Sequence, residues 1–263
     1  MVPELDLSRE LAVAVDAARK AAAIQMRLYE RIESIDFKSE KDVVTEADHQ
    51  SEEAILETIR AAFPDDAFLA EESGVSDEIA ERQWVIDPLD GTVNYANGIP
   101  FFAVSIGLCV EGEPVLGVVL DPTRDELFTG LRGGGAFLNG APIRHPIDKR
   151  LGDSVVGLGL PSRGFGHQYR EIRRRVRITR AMGSSTLALT YTANGRFDAY
   201  IQWTKLSLWD ICAAGVIALE GGAVVTSCLG NAWFDLGMPA KSIGIAAAAP
   251  QHHQTLLDLL ADG

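Results

Sequence analysis

The stretch Trp84-Val85-Ile86-Asp87-Pro88-Leu89-Asp90-Gly91-Thr92-Val93-Asn94-Tyr95 constrains this chain more than any other. It opens as a buried strand over 84–86 that ends on a carboxylate. Pro88 has no amide proton and a fixed φ, so the ladder stops there. Asp90-Gly91-Thr92 reads as a turn into a short helix, with Gly91 able to bring backbone amides close to a ligand and Thr92 as the cap. Free amides at such a helix start suit an anion such as phosphate. Two carboxylates three residues apart beside an anion site repel unless something positive lies between them, and a divalent cation is the simplest candidate. Asp-Pro and Asp-Gly are also common turn dipeptides, so these residues alone leave solvated turn acids as an equal alternative.

The flanking chain supplies more acids at the ends of elements. A long helix is expected over 8–33, with Leu11, Val15, Ala18, Ala22 and Met26 on its inner face, followed by a polar loop over 37–41. Thr45-Glu46-Ala47-Asp48 resembles a capping box that opens a second helix, with Ile55, Leu56 and Ile59 inward. The apolar run 67–70 reads as a strand that delivers Glu71 to its end. Strands over 101–110, 115–121 and 126–131, joined by short turns, indicate an antiparallel sheet, and Asn139-Gly140 is a tight-turn signal. Further on, strands are expected over 155–160, 177–181 and 197–203, and helices over 166–175 and 186–193. Trp209-Asp210 starts a helix that runs to Glu220, with Asp210 in its favourable first turn, and a closing helix covers 254–260.

A length of 263 residues allows one large domain or two coupled subdomains. A soft boundary over 141–152, containing Pro142 and Pro146, divides the chain into an N-terminal subdomain, residues 1–145, carrying most of the candidate acids, and a C-terminal subdomain, residues 146–263, carrying Asp210. A hydrophobic content of 47% excludes disorder, and a formal charge of −13 argues against nonspecific nucleic-acid or anionic-membrane binding. Cys109, Cys212 and Cys228 are too scattered for zinc or disulfide frameworks and read as small buried hydrophobes. The basic cluster of Arg170, Arg173, Arg174, Arg175, Arg177 and Arg180 reads as a solvated face partly paired with acids. Without a signal sequence or an apolar run of about 18 residues, a soluble cytoplasmic protein is expected.

Glu71, Asp87, Asp90 and Asp210 therefore each sit at a strand end or helix start, with no periodic place in a core. Oxygen ligands without nearby His or Cys suit Mg²⁺ or Mn²⁺ rather than Zn²⁺, and the Leu89 carbonyl could add a further ligand. Beside the Gly91-Thr92 anion site they favour metal-assisted chemistry on a phosphate.

Glu71-Glu72-Ser73, the central stretch and Trp209-Asp210-Ile211-Cys212-Ala213-Ala214-Gly215 together resemble the signatures of the inositol monophosphatase family. Gly135-Ala136-Phe137-Leu138-Asn139-Gly140 and Gly183-Ser184-Ser185 resemble its weaker motifs. The resemblance implies an α+β fold, a five-layer αβαβα sandwich with largely antiparallel sheets, and Mg²⁺-dependent, lithium-sensitive hydrolysis of phosphate monoesters by a homodimer. Carried over by position, it implies that Glu71, Asp87 and the Leu89 carbonyl hold one metal and that Asp87, Asp90 and Asp210 hold a second, with a weaker third on Glu71. It implies that Asp48 and Thr92 orient the attacking water, and that the Gly91 and Thr92 amides bind phosphate. It places Asp90, Gly183, Ser184, Ser185 and Asp210 toward the substrate alcohol. Where many relatives carry a glutamate for substrate hydroxyls, this chain has Gln202. Inositol monophosphate or a related sugar or polyol phosphate is the expected substrate. A fructose bisphosphate, histidinol phosphate or nucleoside bisphosphate would need related metal chemistry and a different alcohol pocket. A noncatalytic relative is expected to lose a ligand or Thr92, and a glycosidase needs one acid kept protonated; neither fits these residues as well.

Overall fold

The computed structural model describes residues 6–30, 35–39, 42–75, 80–146, 148–159 and 166–261. The chain opens with α1 (Ser8–Leu28), a hairpin of β1 (Ile35–Ser39) and β2 (Asp42–Thr45), and α2 (Glu46–Ala62). Next come β3 (Ala67–Ala70), β4 (Gly74–Val75), β5 (Arg82–Asp90), the short α3 (Thr92–Ala96), β6 (Ala103–Val110), β7 (Glu113–Asp121), β8 (Glu126–Leu131), β9 (Gly135–Leu138) and β10 (Ala141–Ile143). The second half holds β11 (Val155–Leu158), α4 (Gly166–Arg175), β12 (Ile178–Arg180), α5 (Ser185–Thr190), β13 (Ala199–Leu206), α6 (Leu208–Glu220), β14 (Val224–Ser227), β15 (Ile243–Ala248) and α7 (Pro250–Ala261).

These elements form five layers. α1 and α2 cover one face of an eight-stranded sheet ordered β10-β9-β8-β7-β6-β5-β3-β4. α5 and α6 lie between that sheet and a five-stranded one ordered β12-β11-β13-β15-β14, and α4 and α7 close its far face. The eight-stranded sheet is antiparallel except at β3–β5, as its short turns predict. In the smaller sheet, β11 runs parallel to both β12 and β13.

Several local expectations need correction. The buried face of α1 is Ala14, Ala17, Ala18, Ala21, Ala22 and Gln25, whereas Met26 is exposed. Small side chains let α1 lie close on its neighbours, while Leu11 and Val15 pack half-buried against the same core. α1 stops at Leu28, ahead of Glu30 with a φ of 59°; residues 31–34 lie outside the described ones. The expected loop over 37–41 is partly strand, because 37–39 pair with β2; residues 40 and 41 lie outside the described residues. Leu160 of the strand expected over 155–160 is also outside them. Gly91, with a φ of 95°, and not Thr92, is the N-cap of α3. The Thr45 capping box is present, with both Thr45 and Asp48 making their reciprocal bonds.

α6 reaches the eight-stranded sheet through a groove of glycines. Gly107, Gly117 and Gly130 sit side by side on β6, β7 and β8. A Cβ at Gly107 would lie 2.5 Å from Cys212 Sγ, one at Gly130 would lie 2.9 Å from Ile217 Cα, and one at Gly117 would run into the Ala213 carbonyl. All three cysteines are buried and free. Of the arginine cluster, Arg174 pairs with Glu171 and Arg177 with Asp153, while Arg170, Arg173 and Arg175 face solvent.

Candidate active site

The site grows from the end of β5. Pairing with β6 runs in register to Asp87↔Ser105 and resumes only at Asp90↔Ala103. The ladder does not stop at Pro88 as expected: Pro88 cannot donate, so the strand bulges there and β5 continues to Asp90. In a regular strand, residues three apart face opposite sides. The bulge cancels that alternation and brings Asp87 and Asp90 to one place. Leu89 donates its amide to Asp87 Oδ1 at 3.0 Å, while its side chain is buried with Ala47, Tyr95 and Phe102.

Asp210 arrives from across the molecule on the first turn of α6. Ser207 donates its amide to Asp210 Oδ2 at 2.6 Å, completing a capping box that fixes the carboxylate. One carboxylate oxygen each from Asp87, Asp90 and Asp210 lies within 4.8 Å of the others. Glu71 follows β3, is tied to β5 by its amide (3.2 Å to the Ile86 carbonyl), and meets Asp87 carboxyl to carboxyl.

The electrostatics follow from this crowding. Burial pushes Asp87 well above the usual carboxylate range, and Glu71, Asp90 and Asp210 add their repulsion. Asp210 is raised by burial and by Asp90, against the pull of the Ser207 amide. Asp90 is raised to about 6 by burial, although Ser184 and the amides of Ser185 and Thr186 favour its charged form. Carboxylates held this way lack positive charge, and their all-oxygen donor set fits a hard divalent cation. Glu71, Asp87, the Leu89 carbonyl, Asp90 and Asp210 are the residues that could hold it.

Asp48 and Thr92 meet next to the Leu89 carbonyl. Asp48, at the third position of α2, accepts the Thr45 amide at 2.8 Å and the Thr45 hydroxyl at 2.6 Å on Oδ2. Its Oδ1 takes the Thr92 hydroxyl at 3.0 Å, and the Leu89 carbonyl is an alternative acceptor for that hydroxyl, also at 3.0 Å. Burial raises Asp48 to about 6, with the Thr45 bonds opposing.

The second half contributes the loop before α5. Ser184 caps α5 and donates its hydroxyl to Asp90 Oδ2. Ser185 donates its amide to Asp90 Oδ1 at 3.3 Å. Gln202 stands one hydrogen bond further out: its Oε1 accepts from Tyr200 (2.6 Å) and Ser185 (3.2 Å), and its Nε2 donates to the Thr204 carbonyl at 3.1 Å. Gly183 is exposed, with a φ of 82°, and packs against Asn94.

Two supporting residues carry little local signature of their role. Asn94 uses its amide to hold the Phe101 carbonyl at 2.7 Å and the Met182 carbonyl at 2.8 Å, tying α3 to the loop before α5. Glu52, buried on α2, takes the amides of Glu72 at 2.9 Å and Ser73 at 2.8 Å, bracing the turn that carries Glu71. The i, i+4 spacing of Asp48 and Glu52 places both on one helix face, which is the one sequence signal for Glu52.

The sequence profile of the inositol monophosphatase family matches residues 6–262. A Nus factor SuhB of Pasteurella multocida is 38% identical over 94% of this chain and 94% of its own. An inositol-1-monophosphatase of Mesorhizobium japonicum is 39% identical over 84% of this chain and 86% of its own. Among solved structures, the extragenic suppressor protein suhB of Bartonella henselae superposes with a TM-score of 0.90 at 34% identity, covering 97% of this chain and 99% of its own. The inositol monophosphatase of Anabaena gives 0.85 at 32% identity, covering 98% and 97%.

Proposed function

The chain belongs to the inositol monophosphatase family and is a phosphatase, and we propose that it is a Mg²⁺-dependent hydrolase of inositol monophosphate or of related sugar and polyol monophosphates. The observation that carries this reading is the convergence of Asp87, Asp90 and Asp210 within 4.8 Å, beside the Asp48–Thr92 contact. Glu71, Asp87, the Leu89 carbonyl, Asp90 and Asp210 would hold two to three Mg²⁺ ions, or Mn²⁺ in their place. Bound there, the ions supply an acidified water and neutralise the charge on the phosphoryl and leaving oxygens.

The protein's own contribution to the reaction is positioning and proton handling. Thr92 donates its hydroxyl hydrogen to Asp48 or the Leu89 carbonyl in a hydrogen bond and so keeps its oxygen lone pairs free to accept from the attacking water. Asp48, raised to about 6, can take up a proton near neutral pH. The amides of Gly91 and Thr92, at the start of α3, brace the phosphoryl oxygens. Asp90, Gly183, Ser184, Ser185 and Asp210 line the substrate-alcohol side, and Gln202 acts there through Ser185.

The same reading includes lithium inhibition, a homodimer, a cytoplasmic location and a division into subdomains over residues 1–145 and 146–263. The division is supported by the change of sheet between β10 and β11. Among the described residues no helix is long and apolar enough to cross a membrane. Phosphate release from a panel of sugar and polyol phosphates, with Mg²⁺ and after chelation, tests the function. Full turnover in chelator-treated protein would sink it.

A further inference from the structure

The inner face of α1 is built of alanines and ends in one polar side chain, Gln25, which is fully buried. Its Nε2 donates at 2.7 Å to the carbonyl of Pro88, which is 63 positions away. The Pro88 carbonyl is an obligate acceptor, so the amide group has only this orientation. The peptide between Pro88 and Leu89 is thereby held at both ends, its carbonyl by Gln25 and its N–H by Asp87 Oδ1 at 3.0 Å. It lies in the bulge between Asp87 and Asp90, where the ladder with β6 offers no partner. Gln25 is itself anchored, because its backbone carbonyl accepts the Tyr95 hydroxyl at 2.7 Å and the Tyr29 amide at 2.8 Å.

We propose that Gln25 is a positioning residue for the metal-binding turn, fixing the Pro88–Leu89 peptide so that the Asp87 carboxylate and the Leu89 carbonyl are set for Mg²⁺ before it arrives. The inference rests on the metal-dependent reading above. Without the amide, the Pro88 carbonyl is buried without a donor and the peptide can turn, taking the Leu89 N–H off Asp87. Partners that orient metal ligands in this way typically change affinity by about 10- to 100-fold when removed.

The test is calorimetric titration of Mg²⁺ into chelator-treated protein, comparing the unsubstituted chain with Gln25→Met, which keeps bulk and removes the donor. Mg²⁺ affinity is expected to weaken by about tenfold or more in the variant. A purely structural role would lower the metal-free melting temperature and leave the affinity within about twofold, and that result overturns the proposal. Absence of Mg²⁺ binding by the unsubstituted protein overturns both this inference and the functional reading, whereas equal affinities overturn this one alone. Should Gln25→Met fail to fold, the side-chain amide signal of Gln25 in the ¹⁵N-labelled native protein decides instead. The proposal expects it to be protected from exchange and to shift on Mg²⁺ addition, and an unprotected, unmoved signal overturns it.

Discussion

Thr92 and Asp48 are 44 positions apart and meet at 3.0 Å, with the Thr92 hydroxyl pointed at a carboxylate already braced by Thr45. The contact joins the first turn of α2 to the first turn of α3, so its geometry is set by two helix starts. Thr92→Ala removes the hydroxyl and leaves the turn. kcat is expected to fall by about 10²-fold or more with a smaller change in KM, because the orientation of water matters in the transition state. Steady-state kinetics check this, and a KM-dominated loss would make Thr92 a simple substrate contact.

Asp210→Asn is expected to keep the fold, since the amide oxygen can still accept the Ser207 N–H that closes the capping box. It removes one negative charge from the acid group. Turnover should fall, and the Mg²⁺ concentration for half activity should rise by about tenfold or more. Unchanged kinetics at limiting Mg²⁺ would remove Asp210 from the site.

The raised acids predict an unusual pH dependence of stability. Asp48 and Asp90 titrate near 6 when folded, against 3.8 as ordinary carboxyls, chiefly because they are buried. Between those values the folded chain holds protons that the unfolded chain has released, so metal-free stability should fall as pH rises through the window. Asp87 and Asp210 are also raised and push in the same direction. Glu126 works the other way: its bond from Arg196 lowers it from 4.5 to about 2, so its stabilising effect is lost only in stronger acid. Mg²⁺ bound as proposed would take the place of the protons on its ligands, so its effect on Tm should grow with pH. Thermal melts with chelator and with saturating Mg²⁺ measure both, and a metal-free protein that gains stability from about pH 5 to about pH 7 would contradict the sign.

Asn94→Ala leaves the buried carbonyl of Phe101 and that of Met182 without their donor. A loss of about 2–3 kcal/mol in urea unfolding is expected, with a raised KM, because the Ser184–Ser185 loop loses its tie to α3. A stability loss with KM unmoved would confine Asn94 to a structural role.

Gln202→Glu is expected to shift the ranking of substrates toward inositol monophosphate by about tenfold or less. The Tyr200 and Ser185 hydroxyls can still donate to a carboxylate, but the Thr204 carbonyl loses its donor. A substrate panel run on both forms checks this, and an untouched ranking would take Gln202 out of substrate selection.

What could be read in the sequence follows the range of each interaction. The Thr45–Asp48 box is local and present as read, and the nearness of Asp87 and Asp90 is local too, although the strand runs on past Pro88 to Asp90. The five layers were legible through motifs spread over most of the chain. Gln25 and Asn94 were silent, and Glu52 showed only its spacing from Asp48, because each acts on a backbone group that only the folded chain brings within reach. On α1 the expected Ala18 and Ala22 are buried and Leu11 and Val15 pack against the core; only Met26 lies outside. Ala14, Ala17 and Ala21 were missed because a hydrophobic period favours large residues over alanine.

The glycine groove under α6 makes the spacing of a charged site depend on carbon atoms that are missing. Asp210 is carried on the helix that rests on Gly107, Gly117 and Gly130, so the thickness of that contact sets how far its carboxylate stands from Asp87. A methyl group at Gly117 would lift α6 off the sheet and widen the gap while every acid stayed in the sequence. On the proposed reading, a lineage of this fold could therefore lose its chemistry without touching any of the acids assigned to it. In a scan of tolerated substitutions, these three inert positions should prove as closed to change as the carboxylates they serve.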